Sequence, residues 1–211
     1  MNEAAAKARI EELTNVSRET IARLEIYADL LERWNPKINL VSKTTLREKW
    51  VRHFLDSAQI WQHIPENTRV LTDIGSGAGF AGLVLAVIAA EKNPALQVQL
   101  VESDARKCAF MRNTAREMGV SVDIHTTRIE SVDIPKADVV TARALAPLTD
   151  LLAFTPKILS ENGVCLFLKG EGYARELESA RESWTFDAQT YQSETHGSGV
   201  LAEISGIRHG G

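Results

Sequence analysis

The fold is decided by residues 71–87, which read Leu-Thr-Asp-Ile-Gly-Ser-Gly-Ala-Gly-Phe-Ala-Gly-Leu-Val-Leu-Ala-Val. The apolar run Val70–Ile74 is typical of a buried strand, and Leu83–Ala90 is typical of a helix. The glycines between them permit a sharp turn and leave no Cβ in the path of an approaching ligand. The N–H groups that open the helix are additional donors. This strand, turn and helix therefore predict a ligand-binding βα unit.

The same alternation continues toward the C-terminus. Further strands are predicted at Val98–Val101, Val122–His125, Asp138–Thr141 and Gly163–Leu168, the last one after a turn at Glu161-Asn162. Helices are predicted at Ala105–Met118, closed by Gly119, and at Leu148–Leu159. Such alternation predicts an α/β fold with a mostly parallel sheet covered by helices on both faces.

The last part of the chain follows a different pattern. Thr185–Tyr191 and Val200–Ile207 are typical of strands, and only the turn-rich segment 194–199 separates them. We therefore expect a C-terminal hairpin that adds antiparallel strands to a sheet of seven.

Residues 1–64 lack strand patterns and predict helices. In Thr20–Trp34 apolar residues recur at spacings of three and four, and Asn35-Pro36 predicts the end of that helix. Thr45–Ile60 is a second amphipathic stretch. With a boundary at Pro65-Glu66-Asn67, we predict a helical extension over 1–64 and a main domain over 65–211.

Length and composition are those of a globular protein. The chain has 211 residues, of which 44% are hydrophobic and 25% charged, enough for a full core. Its formal net charge of −4 argues against a protein that coats nucleic acid without specificity. RNA is still possible as a substrate, because phosphate binding depends on local patches.

Nothing in the sequence indicates a membrane or metal protein. The longest apolar run, Phe80–Ala90, is too short for a membrane span. The acidic segment Met1–Leu13 does not resemble a signal peptide. Cys108 and Cys165 are isolated, which indicates neither a disulfide framework nor a metal site. We expect a cytoplasmic monomer without metal.

Two nucleoside ligands are compatible with the glycine-rich turn. Glu102, at the end of the next strand, is placed to accept hydrogen bonds from ribose hydroxyls. The segment Gly77–Gly82 also fits the dinucleotide fingerprint GxGxxG, which would suit a nicotinamide-dependent oxidoreductase. Asp73 favours S-adenosylmethionine, because a carboxylate there would meet the methionine ammonium and repel a pyrophosphate. The predicted hairpin and the absence of a Tyr-x-x-x-Lys pair point the same way.

An ordered set of motifs resembles one family, the bacterial 16S ribosomal RNA guanine-N7 methyltransferases, also called the glucose-inhibited division protein B family. The motifs are Leu31-Glu32-Arg33-Trp34-Asn35, Ile38-Asn39-Leu40, Arg52-His53-Phe54-Leu55-Asp56-Ser57, Asp73–Phe80, Ala142-Arg143-Ala144 and Phe167-Leu168-Lys169-Gly170. The glycine motif alone is generic, whereas the ordered set is specific. In one departure, Ala81 stands where the family usually has proline.

The resemblance implies a class I S-adenosylmethionine-dependent methyltransferase with a small helical extension. Its product would be 7-methylguanosine in 16S ribosomal RNA of the small ribosomal subunit. It implies that Gly75 and Phe80 line the cofactor and that Ile129 and Glu130 flank its adenine. The complete predicted cofactor site is Asp73, Gly75, Gly77, Gly79, Phe80, Glu102, Ile129, Glu130 and Arg143.

The residues after the predicted fourth strand suit methylation of a ring nitrogen. Guanine N7 carries a lone pair and no proton, so its methylation needs no general base. The Asn/Asp-Pro-Pro-aromatic motif of exocyclic-amine methyltransferases is absent, and Ala142–Pro147 stands in its place. Arg143 would point into the crevice at the strand's carboxyl end, and we single it out as the candidate catalytic residue. It could contact an RNA phosphate, a guanine edge or the methionine carboxylate, or form a structural ion pair.

Residues 33–53 form a basic segment in an acidic chain. Trp34 and Trp50 are interleaved with the cations, which indicates an RNA-facing surface. The alternative is a solvated helix surface whose tryptophans pack the extension onto the main domain. The predicted RNA-binding residues are Arg33, Lys37, Lys43, Arg47 and Arg52, with Lys169 at the sheet rim.

Three other functions stay open at this point. One is a methyltransferase for a small molecule or a protein, and another is the nicotinamide-dependent oxidoreductase. The third is an RNA-binding module whose cofactor pocket no longer works.

Overall fold

The computed structural model of the chain describes residues 1–210. Seven strands form one sheet in the order β3-β2-β1-β4-β5-β7-β6. Strands β1 to β5 are parallel, while β7 pairs antiparallel with both β5 and β6. This arrangement confirms the predicted mostly parallel sheet and its antiparallel C-terminal hairpin.

The strands lie close to their predicted positions. They are β1 (Val70–Ile74), β2 (Gln97–Glu102), β3 (Asp123–Thr126), β4 (Ala137–Arg143), β5 (Leu159–Lys169), β6 (Trp184–Gln192) and β7 (Val200–His209). The turn predicted at Glu161-Asn162 is wrong, because these residues lie within β5. The register between β4 and β5 shifts there, which accommodates turn-forming residues inside a strand.

Helices cover the sheet and precede it. They are α1 (Glu3–Thr14), α2 (Arg18–Ile38), α3 (Lys43–Arg47), α4 (Asp56–Ala58), α5 (Gly82–Lys92), α6 (Ala105–Met118), α7 (Leu148–Ile158) and α8 (Tyr173–Arg181). Gly119, with φ of 66°, caps α6 in the left-handed conformation, as its position predicted. The sequence patterns did not identify α8, which is short and largely exposed.

The predicted break at Asn35-Pro36 is wrong, because α2 continues to Ile38. Pro36 lies in the last turn, where the loss of one backbone hydrogen bond is tolerated. The end of α2 is held by Asn39 in the left-handed conformation, whose N–H donates to the Asn35 carbonyl. The Asn35 side chain accepts the Val41 N–H at 2.8 Å, so both groups of Asn35 stabilise this end.

The second predicted stretch, Thr45–Ile60, is helical but not one helix. After α3, a π-helix covers Trp50–Leu55, α4 follows, and a 3-10 helix covers Gln59–His63. Trp50, Phe54 and Ala58 are buried as their spacing predicted. Phe54 contacts Phe80 of the glycine-rich turn, with ring centroids 5.2 Å apart, and Trp50 stacks on Phe54 behind it.

The extension and the sheet share one hydrophobic core. Buried residues of α1 and α2, such as Ile10 and Leu24, belong to the same cluster as Leu71 of β1 and Leu83 of α5. The other face of the sheet has a second cluster, built by α7 and α8. Within residues 1–210, no helix is both long and apolar enough to cross a membrane.

Candidate active site

The glycine-rich turn joins β1 to α5 at the carboxyl end of the sheet. Gly75, Gly77 and Gly79 have backbone φ angles of 61°, 58° and 97°, which residues with a Cβ rarely adopt. The Ser76 hydroxyl donates to the Asp73 carbonyl at 2.8 Å, and the Gly79 N–H donates to the Ser76 carbonyl at 2.7 Å. The turn is therefore internally hydrogen-bonded, and its Gly75 and Gly77 backbone faces a cavity.

Asp73 lies beneath this turn. One carboxylate oxygen accepts the Thr141 hydroxyl at 2.8 Å, and the other accepts the Gly82 N–H at 3.0 Å. Burial raises the pKa of Asp73, and the two hydrogen bonds oppose that shift. The side chain is fully buried and does not border the cavity, so the structure does not bring it to the position predicted for an ammonium partner. Its visible role is to join the turn to β4 and α5.

Glu102 borders the cavity at the end of β2, as predicted. Its Oε2 accepts the Gly77 N–H at 2.9 Å, and its Oε1 accepts the Asp104 N–H at 2.8 Å. A carboxylate has about four lone-pair positions, so each oxygen retains capacity to accept from a ligand hydroxyl. Glu102 thus holds the turn and presents a negative edge to the cavity.

The cavity has a volume of about 780 Å³, within the usual range for small-molecule sites. The structure brings seven of the nine predicted cofactor residues to its wall: Gly75, Gly77, Phe80, Glu102, Ile129, Glu130 and Arg143. Asp73 and Gly79 are not in the wall. A Cβ at Gly79 would meet Leu83 and the Tyr27 hydroxyl, so Gly79 serves close packing behind the turn.

Aromatic side chains of the extension support Phe80 from behind. Tyr27 of α2 stacks on Phe80 at 4.9 Å between ring centroids, and its hydroxyl donates to the Ala78 carbonyl at 2.5 Å. His53 of the π-helix also stacks on Phe80, at 4.9 Å. The extension therefore positions the turn through direct contacts.

His53 is buried, and no described residue hydrogen-bonds to either ring nitrogen. Burial, with the nearby Arg143 and Arg52 charges, lowers the pKa of His53 to about 3. The imidazole is accordingly neutral at physiological pH, and it packs as an aromatic ring. Of His53 and Asp56, Asp56 makes the polar contacts, with Arg143 and with the Thr195 hydroxyl.

Arg143 lies at the end of β4 beside a second cavity. Its Nη1 donates to the Arg52 carbonyl at 3.0 Å and lies 3.6 Å from Oδ2 of Asp56. The guanidinium also lies 5.3 Å from the Phe80 ring centroid. Arg143 thus makes the structural ion pair that the sequence left open, and it still borders both cavities.

The second cavity, of about 530 Å³, shares one wall with the first. The shared wall is Arg143, Ala144, Leu145 and Ala146. Arg52, Asp56, Lys169 and Glu176 also border the second cavity. Two adjacent cavities with one common wall have the form expected of a site that joins two ligands.

The predicted RNA-binding residues fall into two groups. Arg33, Lys37, Lys43 and Arg47 are exposed on the extension. Leu40 and Val41, which lie between Lys37 and Lys43, border the first cavity. Lys37 and Lys43 are therefore close along the chain to one wall of this cavity.

The second group consists of Arg52 and Lys169, which are partly buried at the second cavity. The Lys169 ammonium donates to the Ala146 carbonyl at 2.9 Å and pairs with Glu176 at 2.6 Å. Its visible role is to hold the cavity wall.

The two tryptophans of the basic segment are packing residues. Trp34 packs against Phe110 of α6 at 5.7 Å between ring centroids and so joins the extension to the main domain. Trp50 is buried against Phe54 within the extension, with ring centroids 4.5 Å apart. Cys108 and Cys165 are buried packing residues, and burial raises the pKa of Cys165.

Sequence reasoning missed Leu145 and Lys107. Leu145 is 38% exposed and lies over Gly75 between the two cavities. Its neighbour Ala144 has φ of 49°, and no sequence signal marked this left-handed turn. Lys107 of α6 also borders the first cavity. The available sequence signal was its position in the first turn of α6, directly after the strand that ends at Glu102.

The wall suits a nucleoside with a charged sulfonium tail. It combines an approachable glycine backbone, the Glu102 carboxylate for hydroxyl groups, and apolar contact from Phe80 and Ile129. Within the described part of the chain, no three His, Cys, Asp or Glu side chains form a group suited to a metal.

Comparisons with known proteins agree with these features. A family model described as rRNA small subunit methyltransferase G matches residues 20–201. A protein named ribosomal RNA small subunit methyltransferase G from Ruegeria sp. (strain TM1040) is 47% identical over 92% of this chain and 94% of its own. The protein of the same name from Rhodospirillum centenum (strain ATCC 51521 / SW) is 50% identical over 91% and 87%.

Solved structures share the fold at low sequence identity. Ribosomal protein L11 methylase from Lactobacillus delbrueckii subsp. bulgaricus has a TM-score of 0.59 and 19% identity, covering 73% of this chain and 78% of its own. M. jannaschii TYW2 in complex with AdoMet has a TM-score of 0.55 and 16% identity, covering 82% and 78%. The sheet is thus that of class I methyltransferases.

Proposed function

The chain belongs to the rRNA small subunit methyltransferase G family, and from this we propose that it transfers a methyl group from S-adenosylmethionine to N7 of one guanine in 16S ribosomal RNA. The membership rests on a model match over most of the chain and on close relatives of nearly the same length. It favours the methyl donor over a nicotinamide dinucleotide, and RNA over a small-molecule or protein substrate.

The observation that carries the proposal is the pair of cavities with Arg143 and Leu145 in their common wall. We assign the first cavity to S-adenosylmethionine and the second to the RNA nucleotide. A methyl transfer needs the donor and acceptor in line and in direct contact, and two cavities that meet along residues 143–146 would bring the reacting ends of their ligands together there. Fixing two reactants in this way can contribute roughly 7–11 kcal/mol to lowering the barrier.

We propose that Glu102 accepts the ribose hydroxyls, that Ile129 and Glu130 flank the adenine, and that Gly75, Gly77 and Phe80 border the rest of the cofactor. Asp73 and Gly79 would act indirectly, by holding the turn. When bound, S-adenosylmethionine supplies an electrophilic methyl group on a sulfonium.

The chain's own residues would then only position and shield the reactants. N7 attacks through a lone pair in the plane of the base and loses no proton, so a general base is unnecessary. Leu145 and Phe80 present apolar surface that would exclude water from the reacting atoms. Arg143, held by Asp56 and the Arg52 carbonyl, keeps further N–H donors for a ligand in either cavity.

We propose that the RNA backbone approaches across Arg33, Lys37, Lys43, Arg47 and Arg52. Exposed cations lie before and after Leu40 and Val41, which border the first cavity, and Arg52 borders the second; this arrangement suits phosphate groups on both sides of an inserted nucleotide. Lys169 would contribute through its hold on the cavity wall.

We further propose that the enzyme works without a metal, away from membranes, and in the cytoplasm, where the small ribosomal subunit is present. We keep the prediction that it is a monomer, which sedimentation of the purified protein would test. The division into a helical extension (1–64) and a methyltransferase domain (65–211) is also a proposal.

The test is methylation of small ribosomal subunits from cells that lack the gene. Subunits are incubated with tritiated S-adenosylmethionine, and the RNA is digested to nucleosides and to fragments for mass spectrometry. We expect label in 7-methylguanosine at one 16S position. Label in another nucleoside, or in a ribosomal protein, would overturn the proposal.

A further inference from the structure

The second cavity contains a carboxylate with one unused oxygen. Glu176 of α8 borders this cavity, and its Oε2 accepts the Leu148 N–H at 2.8 Å and the Lys169 ammonium at 2.6 Å. Among the described residues, no hydrogen-bond donor reaches its Oε1. The side chain is thus fixed through one oxygen by two donors, while the other oxygen is available to a ligand.

The position of Glu176 relative to the shared wall determines which edge of a bound base its carboxylate can contact. Glu176 does not border the first cavity, whereas Arg143 to Ala146 border both. A guanine whose N7 reaches the shared wall turns its opposite edge toward the rest of the second cavity. That opposite edge carries N1–H and the N2 amino group, which are both donors, while N7 and O6 are acceptors.

We propose that Glu176 is the residue that selects guanine, by accepting hydrogen bonds from N1–H and the N2 amino group through Oε1. This inference rests on the proposed function, because it assigns the second cavity to the target nucleotide. Adenine presents an acceptor at N1 and would be repelled by the carboxylate. Arg143 in the shared wall can donate to O6, so Arg143 and Glu176 would contact different edges of the base.

The two donors on Oε2 explain why a carboxylate fits this position. They fix the rotamer of Glu176, so its orientation does not have to be established when RNA binds. Lys169 also balances the charge in a partly buried place, since only 8% of its side chain is exposed. A site built to hydrogen-bond a substrate group discriminates strongly against the analogue that lacks it.

The test combines a protein variant with a base analogue. Glu176→Gln keeps an oxygen for Leu148 and Lys169 and places an NH₂ donor where Oε1 was, so the wall is preserved while the reading group is reversed. The matched control is Glu178→Gln, because Glu178 is exposed on the same helix and does not border the cavity. Small subunits are reconstituted with guanosine at the mapped target position or, by splinted ligation, with inosine, which lacks the N2 amino group.

The measured quantity is kcat/KM for methyl transfer to each RNA. For the native enzyme and Glu178→Gln we expect guanosine to exceed inosine by roughly 10-fold to 100-fold, the effect of a hydrogen bond to a charged group. For Glu176→Gln we expect lower activity on guanosine and a ratio near one. A purely structural role for Glu176 would lower both rates equally and keep the ratio, which would overturn the proposal.

The two proposals fail in different ways. If the native enzyme methylates the guanosine RNA but shows no preference over inosine, the selection by Glu176 is wrong and the methyltransferase function stands. If the native enzyme transfers no methyl group to either RNA while it binds S-adenosylhomocysteine, the proposed substrate is wrong, and with it the selection.

Discussion

At the scale of single residues, Glu102 has two roles, one in holding the glycine-rich turn and a proposed one in binding the cofactor. It accepts the Gly77 and Asp104 N–H groups, and we propose that it also accepts ribose hydroxyls. Glu102→Ala should weaken binding of S-adenosylhomocysteine by roughly 1.5–3 kcal/mol, the contribution of hydrogen bonds to a charged group. Isothermal titration measures the change directly.

Glu117→Ala is the control for this variant, because Glu117 is an exposed carboxylate at the far end of α6. Its affinity for S-adenosylhomocysteine should equal that of the native protein. An unchanged dissociation constant in Glu102→Ala would remove Glu102 from the cofactor site.

His53 predicts a pH dependence of stability. Its pKa is about 3 in the folded protein against 6.5 for an ordinary histidine, so the unfolded chain binds more protons between these values. Stability is therefore lost as the pH falls from 6.5 toward 3, by up to about 1.4 kcal/mol per pH unit from this group. His53→Phe keeps a ring against Phe80 and removes the proton-binding group.

We expect His53→Phe to be at least as stable as the native protein at pH 7, because the two ring nitrogens have no partner among described residues. Its advantage should grow as the pH is lowered to 4.5. Free energies of unfolding from urea titrations at pH 7, 5.5 and 4.5 measure this difference. Parallel pH profiles for the two proteins would contradict the assignment to His53.

At the scale of elements, the glycine-rich turn and the segment after β4 depend on each other. A Cβ at Gly75 would overlap the Leu145 side chain, and Gly75 has a φ of 61°. Gly119 has a similar φ of 66° but no atom within 4 Å of a built Cβ. Substitution of Gly119 therefore introduces backbone strain alone, whereas substitution of Gly75 adds a steric clash with Leu145.

Gly75→Ala and Gly119→Ala should each lose roughly 1–2 kcal/mol of stability through the left-handed conformation. Only Gly75→Ala should also lose affinity for S-adenosylhomocysteine, because it displaces Leu145 from between the cavities. Adding Leu145→Ala to Gly75→Ala should restore part of that affinity. Equal affinity in the single and double variants would show that Leu145 does not act on the turn.

The elements that the sequence predicted well are those with a strong local signal. The strand, turn and helix at Val70–Ile74 and α5 follow from apolar runs and glycines. Local patterns did not predict that α2 would pass Pro36 or that a π-helix would follow α3, because tertiary packing determines both. Buried Phe54 contacts Phe80 of the glycine-rich turn, and Trp50 stacks on Phe54; a single helical periodicity does not describe a segment that changes helix type.

At the scale of the whole molecule, the candidate active site is built from residues that are far apart in the sequence. The glycine-rich turn and Glu102 could be predicted as a cofactor site, because they end neighbouring strands of a parallel sheet. The second cavity could not be predicted. It needs Arg52 from the extension, Lys169 from β5 and His196 from the loop before β7, and only the folded chain brings them together.

The same scale includes the surface over which RNA would approach. Lys43 and Arg47 are exposed on α3, which follows in the chain after Leu40 and Val41 at the first cavity. The double variant Lys43→Ala, Arg47→Ala should bind unmodified 16S ribosomal RNA more weakly. With fewer phosphate contacts, fewer counterions are released when the RNA binds. The plot of log affinity against log salt concentration has a negative slope, and its magnitude should decrease by roughly 0.7–0.9 for each phosphate contact removed. Filter binding between 50 and 200 mM KCl measures this slope.

The control removes the same number of charges from the helix after Glu102, as Arg106→Ala with Arg116→Ala, where both side chains are exposed and neither borders a cavity. That pair should leave the salt slope unchanged, and both pairs should bind S-adenosylhomocysteine like the native protein. Because both pairs change the net charge by the same amount, a difference between them reports position and not total charge. Equal slopes in the two double variants would mean that RNA does not cross α3, and the extension would then serve only to support the turn.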